Sequence, residues 1–221
     1  MDALHSAAAI LKHMLSGEGY TPSLFRVGMT MTLDPTPFIL AASATKVPVP
    51  EVSGGNALVS VEAVGRLGTG DATLYRLYLP DAKGFFQLHL DASGHPDECR
   101  FFAPIDEVNP ATAAEWSFWI DDAEGMIGWP DFQTKDGKVY HRAWAPGSTR
   151  IAPQRLTEAR AELAGTRTVS HEAMLYAAPT GAADPAPATE YILVSLIEAG
   201  GQSYIAIDAG IDVNPAALSL A

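Results

Sequence analysis

Alternating hydrophobic and polar positions in the middle of the chain predict β-strands. Three runs between residues 74 and 103 are rich in aromatic and branched side chains and are separated by Pro, Asp, Ser and Gly. In the second run, 85–90, Phe86, Leu88 and Leu90 alternate with Phe85, Gln87 and His89, so we expect one face of this strand to be buried. Asp and Ser bond back to the local backbone and Gly accepts positive φ, which favours turns between the runs. The pattern predicts an antiparallel meander.

The last third of the chain continues this pattern. Residues 168–177 read as a strand, and 190–198 and 202–208 flank Gly200-Gly201 as a hairpin. Because 191–197 is apolar at nearly every position, we expect a central strand that is covered on both faces. Asp136-Gly137 predicts a further hairpin.

Helical spacing is found in three short segments. Leu4, Ala8, Leu11 and Leu15 recur on one face of 3–15; 110–121 follows Asn109 as a plausible N-cap; and 157–163 stops at Gly165. Residues 25–40 are expected to form short extended pieces. The glycine-rich stretch 65–70 lacks the dinucleotide-binding spacing and a following helix, so we interpret it as a plain loop.

These elements predict an α+β fold in which antiparallel sheet dominates, as a meander and hairpins, with a few short helices. With 221 residues, 48% of them hydrophobic, the chain suffices for a proper core. We expect residues 1–221 to form a single domain, with two packed β-rich subdomains at about 1–150 and 151–221 as the alternative.

The charge balance excludes several classes of partner. The net charge is −12 and the basic residues are scattered, which disfavours nucleic acid and direct docking on anionic lipid. Cys99 is the only cysteine, so no internal disulfide can form, and we interpret it as a small core residue. The apolar runs are too short to span a bilayer, and the N-terminus does not resemble a signal peptide. A cytoplasmic protein without membrane insertion is therefore expected.

An aromatic segment, 116–144, contains all four tryptophans and mixes them with charged side chains. It is either the centre of a core or a recognition surface, because tryptophans fill cores and also stack on ligands. Gly128-Trp129-Pro130 resembles a turn and is the part expected to be exposed. The candidate ligand-binding or partner-binding residues are Asp121, Asp122, Trp129, Phe132, Tyr140, His141, Arg142 and Trp144.

Catalytic and metal-binding signatures are weak. No two histidines have the helical i, i+4 spacing, and there is no Gly-x-Ser-x-Gly elbow. We expect no metal and no cofactor, and we assign no catalytic residue. The carboxylates Asp121, Asp122 and Glu124, not far from His141 and Arg142 in sequence, form the best acid/base candidates, although adjacent Asp residues in a loop normally only solvate it. Arg150, beside Ser148 and Thr149, either holds an anion or belongs to a plain turn.

Scattered positions resemble one family. They are Leu33-Asp34-Pro35, Tyr75-Arg76-Leu77-Tyr78, Phe86-Gln87, Ile127-Gly128-Trp129-Pro130, the run Tyr140, Arg142, Trp144, Pro146 and Gly147, Tyr176, and Glu190-Tyr191-Ile192-Leu193-Val194-Ser195. Together they resemble the YjfK-like family of bacterial proteins, domain of unknown function 2491. The resemblance covers most of the chain and carries no catalytic residue. It implies association with genes for envelope-stress proteins of the phage-shock type and for peptide-ligase-like enzymes.

The sequence leaves two functional hypotheses. The first is a non-enzymatic accessory or adaptor protein, linked to envelope stress, whose exposed aromatic residues bind a protein partner. The alternative is an enzyme or sensor that takes a small polar ligand in an aromatic-lined pocket near Asp121, Asp122, His141 and Arg142. The ligand, the partner and the oligomeric state do not follow from the sequence.

Overall fold

A computed structural model describes residues 25–52, 57–69, 72–90, 96–215 and 218–220. The strands are β1 (Thr30–Leu33), β2 (Leu58–Ser60), β3 (Ala63–Thr69), β4 (Ala72–Tyr78), β5 (Phe85–Leu90), β6 (Pro96–Val108), β7 (Asp131–Gln133), β8 (Val139–Arg142), β9 (Gln154–Glu162), β10 (Gly165–Pro179), β11 (Thr189–Ala199), β12 (Gln202–Asp212) and β13 (Leu218–Leu220). The α-helices are α1 (Thr36–Ala41) and α2 (Ala113–Ile120), and Pro80–Ala82 forms a 3₁₀ turn.

Eight antiparallel strands close into a barrel. Their order is β3-β4-β5-β6-β12-β11-β10-β9, and β9 pairs again with β3. The dominance of antiparallel sheet is confirmed, while closure of the sheet was not predicted. The β7–β8 hairpin extends the sheet, because β8 continues along the β10 edge beyond the end of β9. Strands from before and after residue 150 share the barrel, through the β6–β12 and β3–β9 pairings.

The barrel has an apolar core on each side of its wall. The outer face of β5, with Phe86 and Leu88, packs in a large cluster beneath β1, α1 and the aromatic segment. The inner face carries Phe85, which packs against Phe102 and Leu193 inside the barrel. The expectation that β5 buries only one face is therefore wrong, because barrel closure covers one face and the outer layer covers the other.

The outer layer comes from the start and the end of the described chain. β1 lies between β13 and β2 in a three-stranded antiparallel sheet. Met31 and Leu33 of β1 are fully buried, and Phe38 of α1 meets Phe101 of β6 edge to face at 5.2 Å. The extended pieces predicted for 25–40 are thus only partly correct, because Pro35 and Pro37 stand at the start of a short helix, where proline costs no hydrogen bond.

Two predicted elements are wrong. Residues 157–163 belong mostly to β9, which pairs with β10 over its length and with β3 at residues 158–161. This pairing overrides the helix propensity of its Ala, Glu and Arg residues. The predicted loop at 65–70 is mostly β3. A glycine occupies position 65 of this strand because a Cβ there would lie 1.7 Å from Glu158 Oε1.

The short helix predicted before Asp121 is confirmed as α2, although its N-cap is Thr112 rather than Asn109. The Glu115 N–H donates to Thr112 Oγ1, and the Glu115 carboxylate accepts from the Thr112 N–H, each at 3.2 Å. The hairpins at Asp136-Gly137 and Gly200-Gly201 are confirmed. The helix predicted at 3–15 lies outside the described residues. Across the part of the chain that is described, no helix has the length and hydrophobicity to cross a membrane.

Candidate functional site

The aromatic segment is partly core and partly surface. Tyr140 and Phe132 are buried, Trp116, Trp119 and Trp144 are half-buried, and Trp129 is 41% exposed. Trp144 packs against all three apolar clusters of the fold, so it covers one end of the barrel. In the Gly128–Pro130 turn, which was predicted to be the exposed part, the Trp129 side chain is exposed but Gly128 is buried, and Phe118 of α2 is more exposed at 56%.

Two arginines hold the loops of this segment in place. Arg142 is buried and donates to the carbonyl oxygens of Gly128 at 2.6 Å, Thr149 at 2.9 Å and Ala145 at 2.9 Å. Arg150 donates to the carbonyls of Asp121, Asp122, Gly125 and Ile127. Both guanidinium groups therefore donate to backbone carbonyls, and Arg150 stabilises the loop that it contacts.

Tyr140 and Glu190 form a buried pair behind the β7–β8 hairpin. Tyr140 Oη donates to Glu190 Oε2 at 2.7 Å, and Lys138 Nζ lies 2.6 Å from the same oxygen. Burial and the bond to Glu190 raise the pKa of Tyr140. Tyr140 thus remains a neutral donor that anchors the hairpin to β11.

The remaining candidates, Asp121, Asp122 and His141, make separate contacts. Asp121 Oδ1 accepts the N–H groups of Ala123 and Glu124 at 2.9 Å each, and these backbone bonds lower its pKa. The Asp122 side chain is exposed. His141, also exposed, lies 2.7 Å from Asp131. Of the eight candidates, Phe132 lines a groove and Trp144 lines a different cavity.

An apolar groove lies between α2 and the β7–β8 hairpin. Its volume is about 440 Å³, and Trp119, Phe132, Ile105, Val108 and Ile207 form its apolar walls. Two ion pairs stand at its rim, Lys46 with Asp136 and Lys135 with Asp106. We call this feature the Trp119 groove. Of the candidate residues, it includes Phe132.

A second group of polar residues lies inside the barrel, where the alternating register places them on the inner face. Glu158 is fully buried at its centre and accepts from Tyr78 Oη at 2.8 Å, Arg160 Nη2 at 2.7 Å and His171 Nε2 at 2.9 Å. Arg76 is 2% exposed and donates to Gln87 at 3.0 Å. A buried charge needs hydrogen-bond and ion-pair partners of this kind to offset the cost of removing it from water.

The pKa values of this buried cluster move in opposite directions. Burial alone would raise the pKa of Glu158, but the His171 bond and the charges of Arg76 and Arg160 outweigh it and lower that pKa to about 2. Burial lowers the pKa of His171. Burial raises the pKa of Asp208 to about 6, although Arg76 opposes this rise. Glu158 is therefore ionised and His171 is neutral at pH 7.

Four buried polar atoms have no hydrogen-bond partner within the described structure. They are Arg76 Nη2, Arg160 Nε, His171 Nδ1 and Ser195 Oγ, all on inward-facing positions of the barrel. Buried polar groups are normally satisfied, so such atoms indicate water or a bound molecule. The sequence reasoning missed this cluster. The available signal was Leu74, Arg76 and Tyr78, which alternation places on one face of a strand.

One end of the barrel opens into a cavity of about 660 Å³. Tyr78, Arg160 and Arg167 supply its polar donors, and Leu79 and Leu163 are its largest apolar side chains. We call it the barrel-end cavity. A smaller cavity of about 280 Å³, lined by Gln87, His89 and Trp144, lies at the other end.

The residues that the structure describes contain no group of three His, Cys, Asp or Glu side chains placed to hold a metal ion. Cys99 is a core residue, as predicted, and burial raises its pKa to about 12.

The architecture is that of an antiparallel barrel protein whose interior combines apolar and buried polar side chains, with a peripheral aromatic hairpin. A family model described as "Protein of unknown function (DUF2491)" matches residues 16–219, so the chain belongs to this family. No curated protein and no solved structure matches the chain.

Proposed function

We propose that this protein is a cytoplasmic, non-enzymatic accessory protein that binds an apolar segment of a protein partner in the Trp119 groove. The observation that carries the proposal is the groove itself, an apolar concavity walled by Trp119 and Phe132 on the outside of the barrel. Trp is among the residues that dominate binding energy at protein interfaces.

The groove has the composition of a partner site. Its floor is apolar, and its rim carries charges that already pair with each other, Lys46 with Asp136 and Lys135 with Asp106. An apolar core within a polar rim is the usual arrangement at an interface. Because the rim charges are compensated, apolar side chains rather than a charged segment suit this groove.

A free strand edge lies beside the groove. Among the described strands, β7 pairs with β8 alone, and its residues Phe132 and Gln133 line the groove. An extended partner segment that pairs with this edge would place alternate side chains towards Trp119. Trp129 precedes β7 and is exposed, and it is the other position of the aromatic segment proposed to contact the partner.

The test begins with a photo-crosslinking amino acid at Lys135, whose side chain is 87% exposed at the groove rim. The same substitution at Arg155, 81% exposed on β9, is the matched control. Crosslinking in the native cell and mass spectrometry identify the partner segment, which is then synthesised. We expect crosslinks at position 135 and none to the same segment at position 155.

Affinity for the synthetic segment then tests the anchor. Trp119→Ala should weaken binding about tenfold or more, as expected for a buried hot spot. Ile39→Ala is the control, because Ile39 is 59% exposed on α1 and does not line the groove. The proposal is refuted if both variants lose the same affinity for the segment, or if position 155 crosslinks to the same segment as position 135. Trp129→Ala measures separately whether the contact extends to the turn.

A further inference from the structure

We propose that the barrel-end cavity binds a small monocarboxylate with an apolar body, held by Arg160 and Arg167. This site is separate from the Trp119 groove and extends beyond the accessory function. Its residues come from the barrel strands rather than from the aromatic segment.

The two arginines face each other across neighbouring strands. Arg160 of β9 lies directly opposite Arg167 of β10, and both line the cavity. Like charges in directly opposed positions destabilise a sheet. Each arginine has one carboxylate partner, Glu158 at 2.7 Å for Arg160 and Glu162 at 2.7 Å for Arg167. These two pairs compensate the arginine charges, and an anion bound between the guanidinium groups would give each arginine a further acceptor.

The arginines also retain donors that the described residues leave unused. Arg160 Nε is buried and has no acceptor there, although Arg160 Nη2 donates to Glu158 and to Tyr78 Oη. Arg76 Nη2 is likewise buried without an acceptor among the described residues, although Arg76 does not line the cavity. A guanidinium N–H can only donate, so each of these atoms requires an acceptor oxygen. A carboxylate supplies two acceptor oxygens in the plane that a guanidinium edge recognises.

The surroundings select a monoanion over a phosphate. Glu62, Asp81 and Glu162 line the same cavity, and Glu158 lies beneath Arg160. These carboxylates repel a dianion more strongly than a singly charged group. The apolar side chains of Leu79 and Leu163, together with Ala63 and Ala82, provide contact for an uncharged organic body. The volume of about 660 Å³ lies within the range of small-molecule sites.

The experiment titrates the whole protein with benzoate, acetate and inorganic phosphate, and follows backbone amide signals by NMR. Benzoate is expected to shift the signals of residues around Tyr78, Arg160 and Arg167 in a saturable manner, more tightly than acetate. Arg167→Gln should weaken benzoate binding about tenfold, since a charge-assisted hydrogen bond is lost. Arg167 is half exposed, so this variant is expected to fold.

A matched control is available on β9. Arg155 also forms a surface pair through its Nε, 2.8 Å from Glu172, and does not line the cavity. Arg155→Gln should leave benzoate affinity unchanged. Leu163→Ser should weaken benzoate and leave acetate unaffected, because only benzoate carries an apolar body. The proposal is overturned if no carboxylate shifts these signals, if phosphate binds and benzoate does not, or if Arg155→Gln weakens binding as much as Arg167→Gln. Absence of any shift would mean that water satisfies the buried donors.

Discussion

Replacing Asp208 with Asn is expected to stabilise the protein at neutral pH and to have little effect near pH 4. Asp208 is 7% exposed on the inner face of β12, and burial raises its pKa from 3.8 to about 6. The folded state therefore binds the Asp208 proton more tightly than the unfolded state. The stability that this protonation contributes is present below about pH 4 and is lost as the pH rises through about 6.

The magnitude follows from the two pKa values. At about 1.4 kcal/mol for each pH unit, the rise from 3.8 to about 6 means that ionised Asp208 costs the folded state about 3 kcal/mol. Asn has nearly the shape of Asp and stays neutral. The free energy of unfolding of the variant, relative to the wild type, should thus rise by about 2–3 kcal/mol as the pH increases from about 4 to 7. Most of this rise occurs below about pH 6.

Urea unfolding followed by tryptophan fluorescence, at several pH values between about 4 and 7.5, measures this gain. The difference between variant and wild type is the decisive quantity, because His171 and Glu158 titrate in both proteins and cancel. Asp212→Asn, with a half-exposed side chain on the same strand, is the control and should change stability by less than about 1 kcal/mol at every pH. A difference for Asp208→Asn that does not vary with pH would refute the reasoning.

Three further substitutions test the packing. Gly65→Ala should lower the free energy of unfolding in urea by about 2–4 kcal/mol, because the new Cβ would meet the buried Glu158 carboxylate. Gly68→Ala is the control and should cost less than about 1 kcal/mol, because no atom lies within 4 Å of its new Cβ. Arg142→Lys should cost about 2 kcal/mol by the same measurement, since lysine cannot reach three carbonyls at once; an unchanged midpoint would contradict this role. Thr112→Ala should cost about 1 kcal/mol through loss of the α2 capping box, and no change would mean that the cap adds nothing to stability.

The candidate site could be predicted only in part. The aromatic segment was visible in the sequence because tryptophan is rare and its clustering is unusual, and Phe132 of that segment does line the Trp119 groove. The inner cluster was not predicted. Glu158 and Arg160 lie in a stretch with good helix propensity, and His171 is distant from both in sequence. Only the pairing of β9 with β10 brings these residues together.

The sequence by itself determined strands β4 to β6 and β10 to β12 and the hairpin turns, because alternation and turn chemistry are local properties. Asp136-Gly137 and Gly200-Gly201 form their hairpins with glycines at positive φ, which few other residues adopt. Only the tertiary structure decided which face of each strand became the interior. Alternation shows which side chains share a face, but when both faces are buried it does not tell inside from outside. Closure of β9 onto β3 made that choice, and it enclosed Arg76, Glu158 and Asp208 together. Burial there raises the pKa of Asp208, whereas the His171 bond and the charges of Arg76 and Arg160 lower the pKa of Glu158, and Arg76 Nη2 has no acceptor among the described residues.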